Sequence, residues 1–325
     1  MHAAWYEKNG PAKNVLMLGE MTVMGPSLGE VRVKLHASGV NPSDVKSRAA
    51  RPLNTGRIIP HSDGAGVIEE VGAGVNTQRV GERVWIWNGQ WKRPFGTAAE
   101  YIVLPSEQAV SLPKNTSFAA GACLGIPALT AFQAVHLLGD IKGKTVLVIG
   151  AAAAVGHYAA QLAGRAGATV FGTASAERAD HARQAGVTQV IDYKREDVGA
   201  RVAELTQHHG VDAIIDMDLS TTGKLLGQGV LEPHGTLVCY GSNDAGNVAL
   251  PFRALLQGSV TLKFFLVYDL LPADRTRAVS GINALLAEHA LKHSIGKEFL
   301  LDQIVDAHEA VESGKILGNV VLKIG

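Results

Sequence analysis

The chain has 325 residues, which is long for one ordinary domain and suits two. Lys plus Arg equals Asp plus Glu at 30 each, which argues against a nucleic-acid-binding or membrane-surface protein. Two cysteines, Cys123 and Cys239, are too few for a disulfide framework or a cysteine-rich zinc lobe, so buried free thiols are expected. With no signal peptide in "MHAAWYEKNG" and no apolar run of membrane-spanning length, the sequence predicts a cytoplasmic protein.

The first third of the chain predicts antiparallel strands. The segments "EVRVKLHASGV", "GAGVIEEVG" and "GERVWIW" alternate apolar with polar residues between turn residues. Such alternation is typical of strands that are buried on one face only.

From about Ile126 onwards, short apolar runs alternate with amphipathic helical segments such as "GHYAAQLAGRAG". Six runs are expected to form strands: "TVLVIG", "TVFGT", "QVIDY", "DAIIDM", "GTLVCYG" and "VTLKFFL". They are continuously apolar, as strands covered on both faces should be. The alternation predicts right-handed crossovers and a doubly wound parallel sheet, the fold that binds dinucleotides.

The tail after Leu266 predicts a long helix over residues 272–293, a short strand, a helix in "QIVDAHEAVESG" and a last strand in "GNVVLKIG". The pattern alone leaves open whether this tail extends the second domain or returns to the first. His289 and His293 would share one helix face, but two histidines without a third ligand favour exposed helix residues over a metal site.

The stretch "VLVIGAAAAVG" predicts a strand that runs into a turn and a helix. A dinucleotide fingerprint has three glycines here, but Ala151 and Ala153 stand at the first two positions and only Gly156 is kept. Gly150 can supply a permissive dihedral, and the helix start over Ala154 and Val155 can face a pyrophosphate. The turn by itself is compatible with a nucleotide site and equally with an ordinary strand–helix connection.

The second strand of the predicted sheet, "TVFGT", ends in "TASAER", and we expect no carboxylate at its tip. NAD-preferring folds place an Asp or Glu there to bind the ribose hydroxyl. Ser175 and Arg178 instead offer a hydroxyl and a guanidinium, which suit a 2′-phosphate. The alternative is that Arg178 is a solvated helix residue.

Taken together and in order, these segments resemble the zinc-free quinone oxidoreductases, the zeta-crystallin-like branch of the medium-chain dehydrogenase/reductases. The colinear matches are "SGVNPSDVKSR", "DGAGVIEEVGAGV", "GTAAEYIVLP", "GIPALTAFQAV", the cofactor turn and "GNVVLKIG". Members of this branch often have alanine at the position of Ala151, whereas Ala153 departs from their usual glycine.

The resemblance implies an α/β fold with a GroES-like, mostly antiparallel catalytic domain (residues 1–125), a doubly wound Rossmann domain (126–266) and a C-terminal segment (267–325) that returns to the first domain. It implies hydride transfer from NADPH to a quinone. An enone or acrylate reductase on the same scaffold is the nearest alternative. A non-enzymatic role, as an RNA-binding or crystallin-like protein, is a third, and the zero net charge disfavours RNA.

The resemblance also carries functional residues over to this chain. Asn41, Asp44 and Arg48 match positions beside the nicotinamide. The cofactor positions are Thr130, Gly150, Ala153, Ala154, Val155, Gly156, Ser175, Arg178, Tyr193, Gly241 and Ser242. This chain has Lys46 where members of the branch often have a tyrosine, and Asn319 where they have a lysine in the last strand. Asp44 is the candidate proton donor, or else a structural carboxylate paired with Arg48 or Lys46.

Zinc-dependent relatives of this branch have a Cys where this chain has Asn41, and a His where it has Ser62. An amide and a hydroxyl are poor zinc ligands, and His61 is one residue out of place, so no metal is expected. The apolar "VTLKFFLV" is long for an edge strand and predicts a two-fold homodimer through the sixth strand.

Overall fold

The computed structural model describes residues 1–244 and 246–325. The strands are β1 (His2–Trp5), β2 (Met17–Glu20), β3 (Glu30–Val40), β4 (Asp63–Val71), β5 (Arg83–Ile86), β6 (Tyr101–Pro105), β7 (Ala109–Ser111), β8 (Thr145–Val148), β9 (Thr169–Thr173), β10 (Gln189–Ile191), β11 (Val211–Asp216), β12 (Leu231–Cys239), β13 (Thr261–Phe264), β14 (Ile295–Leu300) and β15 (Asn319–Lys323).

The α-helices are α1 (Ala12–Val15), α2 (Pro42–Ala50), α3 (Phe118–Gly121), α4 (Leu129–Leu138), α5 (Ala154–Arg165), α6 (Ala179–Gln184), α7 (Val198–Leu205), α8 (Leu219–Thr222), α9 (Phe252–Gln257), α10 (Pro272–Ala287) and α11 (Ile304–Ser313). Short 3₁₀ turns cover Thr77–Arg79, Ser106–Gln108, Ala176–Arg178, Gly223–Gln228, Val267–Asp269 and Leu301–Gln303, and a π-helical turn covers Leu124–Ala128.

The chain divides into two compact units. The first contains Met1–Pro127 and Val279–Gly325, and the second contains Ala128–Ala278. The sequence placed the second boundary at residue 266, so the structure differs over residues 267–278. The reason lies in α10, whose first half is held by the second unit. There Arg275 donates to the Val267 carbonyl, and Arg277 lies 2.8 Å from the ring nitrogen of His136.

The first unit is built on a sheet with the order β14-β15-β3-β4-β5-β7, with β6 paired to β3. All these pairs are antiparallel except β14 with β15. Alternate residues of β3, Val31, Val33 and Leu35, point into the core, as their apolar–polar alternation predicted. The last strand contributes Leu322 to the same core.

The second unit is a six-stranded parallel sheet with the order β10-β9-β8-β11-β12-β13. Counted from β8, this is the order 3-2-1-4-5-6 of the doubly wound dinucleotide fold. The central strand β8 buries Val146, Leu147 and Val148 completely. The predicted α/β fold, with six parallel strands in one unit and a mostly antiparallel sheet in the other, is therefore confirmed.

The predicted helix over residues 272–293 is correct at its start and wrong at its end. Helix α10 stops at Ala287, and His289 has a left-handed backbone with φ of 54°. His289 and His293 therefore do not share a helix face. No glycine or proline follows this stop, so no local signal indicates it.

Across residues 1–244 and 246–325, none of the helices has both the length and the apolar character that a bilayer crossing requires.

Candidate active site and cofactor site

The turn after β8 is shaped by its glycines and buried alanines. Gly150 has φ of 70°, and its N–H donates to the Thr173 hydroxyl at 2.9 Å. A Cβ on Gly156 would lie 2.1 Å from the Gly150 carbonyl oxygen, so helix and turn touch backbone to backbone there. Ala151 is fully buried, and its methyl group faces Gly172 of β9 rather than solvent. The kept glycine thus has the packing role of the third fingerprint position.

The accessible part of this turn is the start of α5. Ala153, with an extended backbone, stands at the N-cap of α5, and Ala153, Ala154 and Val155 are partly exposed. The first N–H groups of a helix have no intrahelical acceptor and carry partial positive charge. A 12-residue helix with small residues at its start can therefore receive a pyrophosphate. Compared with a fingerprint that has glycine at this position, the accessible start of α5 differs by the methyl group of Ala153.

The loops after β8, β11 and β12 meet at one edge of the parallel sheet. A Cβ on Gly150 would overlap Met217, which follows β11, and the Gly241 carbonyl after β12 accepts from the Leu219 N–H at 3.2 Å. The Ser242 hydroxyl donates to the carbonyl of Asp244 within its own loop. Ligands of doubly wound folds bind at this edge of the sheet. The other expected contact in this unit, Thr130, is buried in α4 with 3 % of its surface exposed.

A carboxylate, Glu177, lies four residues beyond the end of β9, in the 3₁₀ turn Ala176–Arg178. Glu177 hydrogen-bonds to the Ser175 hydroxyl, which lowers the pKa of Glu177, and it lies 3.9 Å from the ammonium group of Lys194. β9 itself ends at Thr173 without a carboxylate, as expected, but Glu177 brings one next to the Ser175 hydroxyl. The residue was visible in "TASAER", but its side chain reaches back to Ser175 only through the 3₁₀ turn Ala176–Arg178.

Two further expected phosphate contacts flank Glu177. Arg178 is half-buried. Burial lowers the pKa of the His181 ring, and the nearby positive charge of Arg178 lowers it further. Tyr193, in the loop after β10, is 54 % exposed. A hydroxyl, a guanidinium and a phenol thus belong to neighbouring loops, together with the unexpected carboxylate.

In the first unit, Asn41 lies between two carboxyl groups. Its backbone N–H donates to Asp44 at 2.8 Å, and its side-chain amide donates to Asp63 at 3.0 Å. The Ile126 N–H also donates to Asp63, at 3.1 Å, while the second Asp63 oxygen has no partner. Asn41 starts α2, and Pro42 after it suits the first helical position.

Burial dominates the ionisation of both carboxyl groups. It raises the pKa of Asp44 to about 7, against opposing hydrogen bonds from Asn41. It also raises the pKa of Asp63 well above its ordinary value, and the nearby Asp44 adds to that rise. Near neutral pH, Asp44 can therefore both hold and release a proton.

Arg48 is more deeply buried than its expected place beside a nicotinamide would suggest. Its side chain is fully buried and donates to the Gly10 carbonyl and to Glu312 of α11. Its ion pair is therefore with Glu312, not with Asp44. Sequence reasoning missed Glu312 because it lies 264 residues away along the chain.

A second buried cluster, which the sequence also did not predict, contains a hydrogen bond between His61 and His308 of α11. The two ring Nε2 atoms are 2.9 Å apart, and His61 Nδ1 lies 2.9 Å from the Ser38 hydroxyl. Ser38 is bonded to Thr97, whose hydroxyl donates to the Asp63 carbonyl. His61 has φ of 76°, a strained conformation that this network holds in place.

The direction of each bond in this network follows from counting protons. Because Thr97 gives its only proton to Asp63, Ser38 must donate to Thr97, and neutral His61 must donate to Ser38 from Nδ1. His61 Nε2 then accepts from His308. Burial lowers the pKa of both rings, that of His308 to about 3, which agrees with two neutral imidazoles.

Ser62, at the position of a zinc-ligating histidine in the zinc-dependent relatives, is 1 % exposed. Within the described part of the chain, no three His, Cys, Asp or Glu side chains are arranged to hold a metal ion. Asn41 is at the position of the cysteine ligand, and its side-chain amide donates a hydrogen bond to Asp63.

Comparison with known families matches both units. Residues 27–114 match the alcohol dehydrogenase GroES-like domain, and residues 154–283 match the zinc-binding dehydrogenase family.

Individual proteins match over nearly their whole length. A 2-haloacrylate reductase from Burkholderia sp. is 32 % identical, over 99 % of this chain and 98 % of its own. The quinone oxidoreductase of Rattus norvegicus is 30 % identical, over 98 % and 95 %. The crystal structure of Escherichia coli quinone oxidoreductase complexed with NADPH superposes with a TM-score of 0.88 at 26 % identity, over 99 % of this chain and 100 % of that one.

Proposed function

Because the chain belongs to the medium-chain dehydrogenase/reductase superfamily, in its quinone oxidoreductase branch, we propose that it is a zinc-independent reductase that transfers a hydride from NADPH to a quinone. The nicotinamide supplies the hydride when bound. The protein's own residues bind the reactants, keep water away and deliver the proton.

The observation that carries this proposal is the protonatable Asp44 beside Asn41. Reduction of a quinone to a hydroquinone needs a hydride and a proton, and a group with a pKa of about 7 supplies that proton at neutral pH. Asn41 fixes the Asp44 carboxyl through its backbone N–H and is itself fixed by Asp63. A conjugated acceptor is already electrophilic, so it needs no Lewis acid to react.

NADPH is proposed over NADH on two grounds. Ser175, Arg178 and Tyr193 belong to the loops that follow β9 and β10, where a 2′-phosphate is bound in this fold. The Escherichia coli quinone oxidoreductase structure also contains NADPH. Glu177 acts in the opposite direction, since its negative charge beside Ser175 repels a phosphate.

A second candidate is reduction of the double bond of a conjugated acid. The specific observation in its favour is the 32 % identity to a 2-haloacrylate reductase over 99 % of the chain. The same Asp44 would then protonate the carbon next to the carboxylate after hydride addition to the far carbon.

One experiment tests both candidates. Purified protein is assayed for NADPH oxidation with a neutral 1,4-naphthoquinone and with 2-chloroacrylate, before and after treatment with a chelator, and its zinc content is measured. Quinone turnover that survives chelation supports the proposal. Turnover of 2-chloroacrylate alone selects the second candidate. Stoichiometric zinc, or activity lost with the chelator, refutes zinc independence.

We also propose a homodimer that pairs β13 with its copy in a second chain. β13 is an edge strand of the sheet, and Phe264 and Leu266 are 60 % and 49 % exposed. An exposed edge with apolar side chains favours pairing with another chain.

Cys123 and Cys239 are free thiols, in keeping with a reducing cytoplasm.

A further inference from the structure

Two carboxyl groups that the proposed chemistry does not use lie at the carboxyl edge of the parallel sheet. Asp216 is the last residue of β11 and is fully buried, and Asp218 follows with 5 % of its surface exposed. In a sheet with this strand order the ligand crevice lies between β8 and β11, beyond the carboxyl ends of the strands. Two acidic residues are therefore placed at an edge where a negatively charged dinucleotide would bind.

Asp216 fixes the loop that contains Asp218. One Asp216 oxygen accepts from the Asp218 N–H at 2.9 Å, and the other accepts from the Thr222 hydroxyl at 2.6 Å. Met217, between the two acids, is the residue that a Cβ on Gly150 would overlap. The loop after β11 therefore packs against the turn after β8.

Both Asp218 oxygens accept two hydrogen bonds each. Oδ1 accepts from the Asn243 backbone N–H at 2.8 Å and from the Ser220 hydroxyl. Oδ2 accepts from the Asn243 side-chain amide at 2.7 Å and from the Thr221 hydroxyl at 3.0 Å. Burial alone would raise the pKa of Asp218, but these hydrogen bonds outweigh it and hold the pKa below its ordinary value. Asp218 is therefore an ionised carboxylate at neutral pH, and its charge is directed at four donors.

These bonds connect the loop after β11 to residues 241–244 after β12. The Ser220 hydroxyl, which donates to Asp218, also accepts from the Asp244 N–H at 3.4 Å. The Gly241 carbonyl accepts from the Leu219 N–H at 3.2 Å and from the Cys239 thiol at 3.1 Å. The segment 241–244 is thus held at its first residue by Gly241 and at its third by Asp218.

We propose that Asp218 is a positioning residue, which holds residues 241–244 in the conformation that binds the part of the cofactor common to NADPH and NADH. The inference rests on the proposed use of a nicotinamide cofactor. A loop that is ordered before binding does not have to be ordered by the cofactor, and this increases affinity. The loops proposed to bind the 2′-phosphate follow β9 and β10, on the other side of β8 in the strand order, so Asp218 should affect both cofactors alike.

The test is Asp218→Asn, with Kd measured for NADPH and NADH by fluorescence titration. Because Asn243 donates to both Asp218 oxygens, the new amide loses one of these two bonds in either orientation. We expect both cofactors to bind about tenfold more weakly, as the loss of one hydrogen bond to a charged group allows. With a 1,4-naphthoquinone, KM for NADPH should rise by the same factor, while kcat at saturating NADPH should stay as in the parent.

Asp212→Asn is the matched control. Asp212 is in the same strand, near its other end, and accepts from the Thr145 N–H at 2.7 Å. The control therefore changes a hydrogen-bonded carboxylate at the opposite edge of the sheet, and it should leave both Kd values unchanged even where it lowers the stability to urea. Hydrogen exchange at the Asn243 amide should be faster in Asp218→Asn and unchanged in Asp212→Asn.

Asn243→Ala is a milder variant, in case Asp218→Asn does not fold. It removes the side-chain amide while the backbone N–H still bonds Asp218, so it should weaken both cofactors by a smaller factor. Parent-like Kd values in both variants overturn the inference. So does tighter binding in Asp218→Asn, since the carboxylate would then act by repelling the cofactor, and so does weaker binding of NADPH alone.

The two proposals fail in different ways. A protein that reduces the quinone and binds both cofactors equally well with Asn at position 218 keeps its proposed function and refutes the role of Asp218. A protein in which Asp218→Asn weakens both cofactors, but which oxidises no NADPH with any acceptor, keeps the role of Asp218 and loses the proposed function.

Discussion

Replacing Asp44 with Asn tests both the burial argument and the assignment of the proton donor. Asn has nearly the shape of a neutral Asp and can still accept the hydrogen bond from the Asn41 backbone. It cannot ionise. The change therefore removes the titration of one buried group while it keeps the packing at the start of α2.

The expected effect on stability follows from the pKa of Asp44, which burial raises from 3.8 to about 7. Between these values the folded protein binds more protons than the unfolded chain, so the free energy of unfolding decreases as pH rises from about 4 to 7 and then levels off. Three pH units correspond to about 4 kcal/mol. We expect Asp44→Asn to be more stable than the parent by up to about 4 kcal/mol at pH 8 and nearly equal to it at pH 4.

Activity should change in the opposite direction. A positioned general acid contributes about 10²- to 10⁴-fold to a rate, so Asp44→Asn should lower kcat for quinone reduction by at least about a hundredfold. The parent should lose activity above pH 7 as Asp44 ionises, and the variant should show no such decline.

Urea denaturation between pH 4 and 8 and NADPH oxidation between pH 6 and 9 measure the two effects. Asp302→Asn is the control, because it makes the same substitution at an exposed carboxylate of the same unit. Parallel stability curves for parent and Asp44→Asn would refute the pKa argument. A variant that keeps the alkaline loss of activity would show that another group donates the proton.

Arg178→Ala should weaken NADPH binding by about ten- to a hundredfold and leave NADH nearly unchanged, measured by fluorescence titration; equal weakening would refute a 2′-phosphate contact. Glu177→Gln should tighten NADPH binding several-fold, since it removes a charge beside Ser175, and an unchanged Kd would place the phosphate elsewhere. Gly156→Ala should cost about 1–3 kcal/mol in thermal or urea unfolding, because its Cβ would lie 2.1 Å from the Gly150 carbonyl; wild-type stability would mean that the turn can relax. Phe264→Asp should shift the protein from dimer to monomer in sedimentation at micromolar concentration, and a parent that is already monomeric would refute pairing through β13.

The two sheets could be predicted because their signals are local. Continuous apolar runs marked β8 to β13, and alternation marked β3, β4 and β5, so periodicity and turn residues were enough. The cofactor turn was harder, since its glycines are partly replaced. Gly156 alone kept the packing role that the backbone geometry demands.

Long-range contacts could not be predicted in this way. The partners His61 and His308 are 247 residues apart, and nothing in either local sequence indicates the other. The same holds for Arg48 and Glu312, so Arg48 was expected at an open site although its side chain is enclosed. Glu177 was overlooked because a side chain that turns back to its own strand leaves no mark in residue spacing.

The discontinuous first unit has a consequence for how the protein is made. Residues 128–278 form a contiguous unit and can fold on the ribosome as soon as they emerge. The first 127 residues cannot complete their own core until residues 279–325 are synthesised, because β15, His308 and Glu312 are all in this last segment. Until then Arg48 and His61 lack these partners, so their two buried networks are completed last, and a chain released early would contain the nucleotide-binding fold without them.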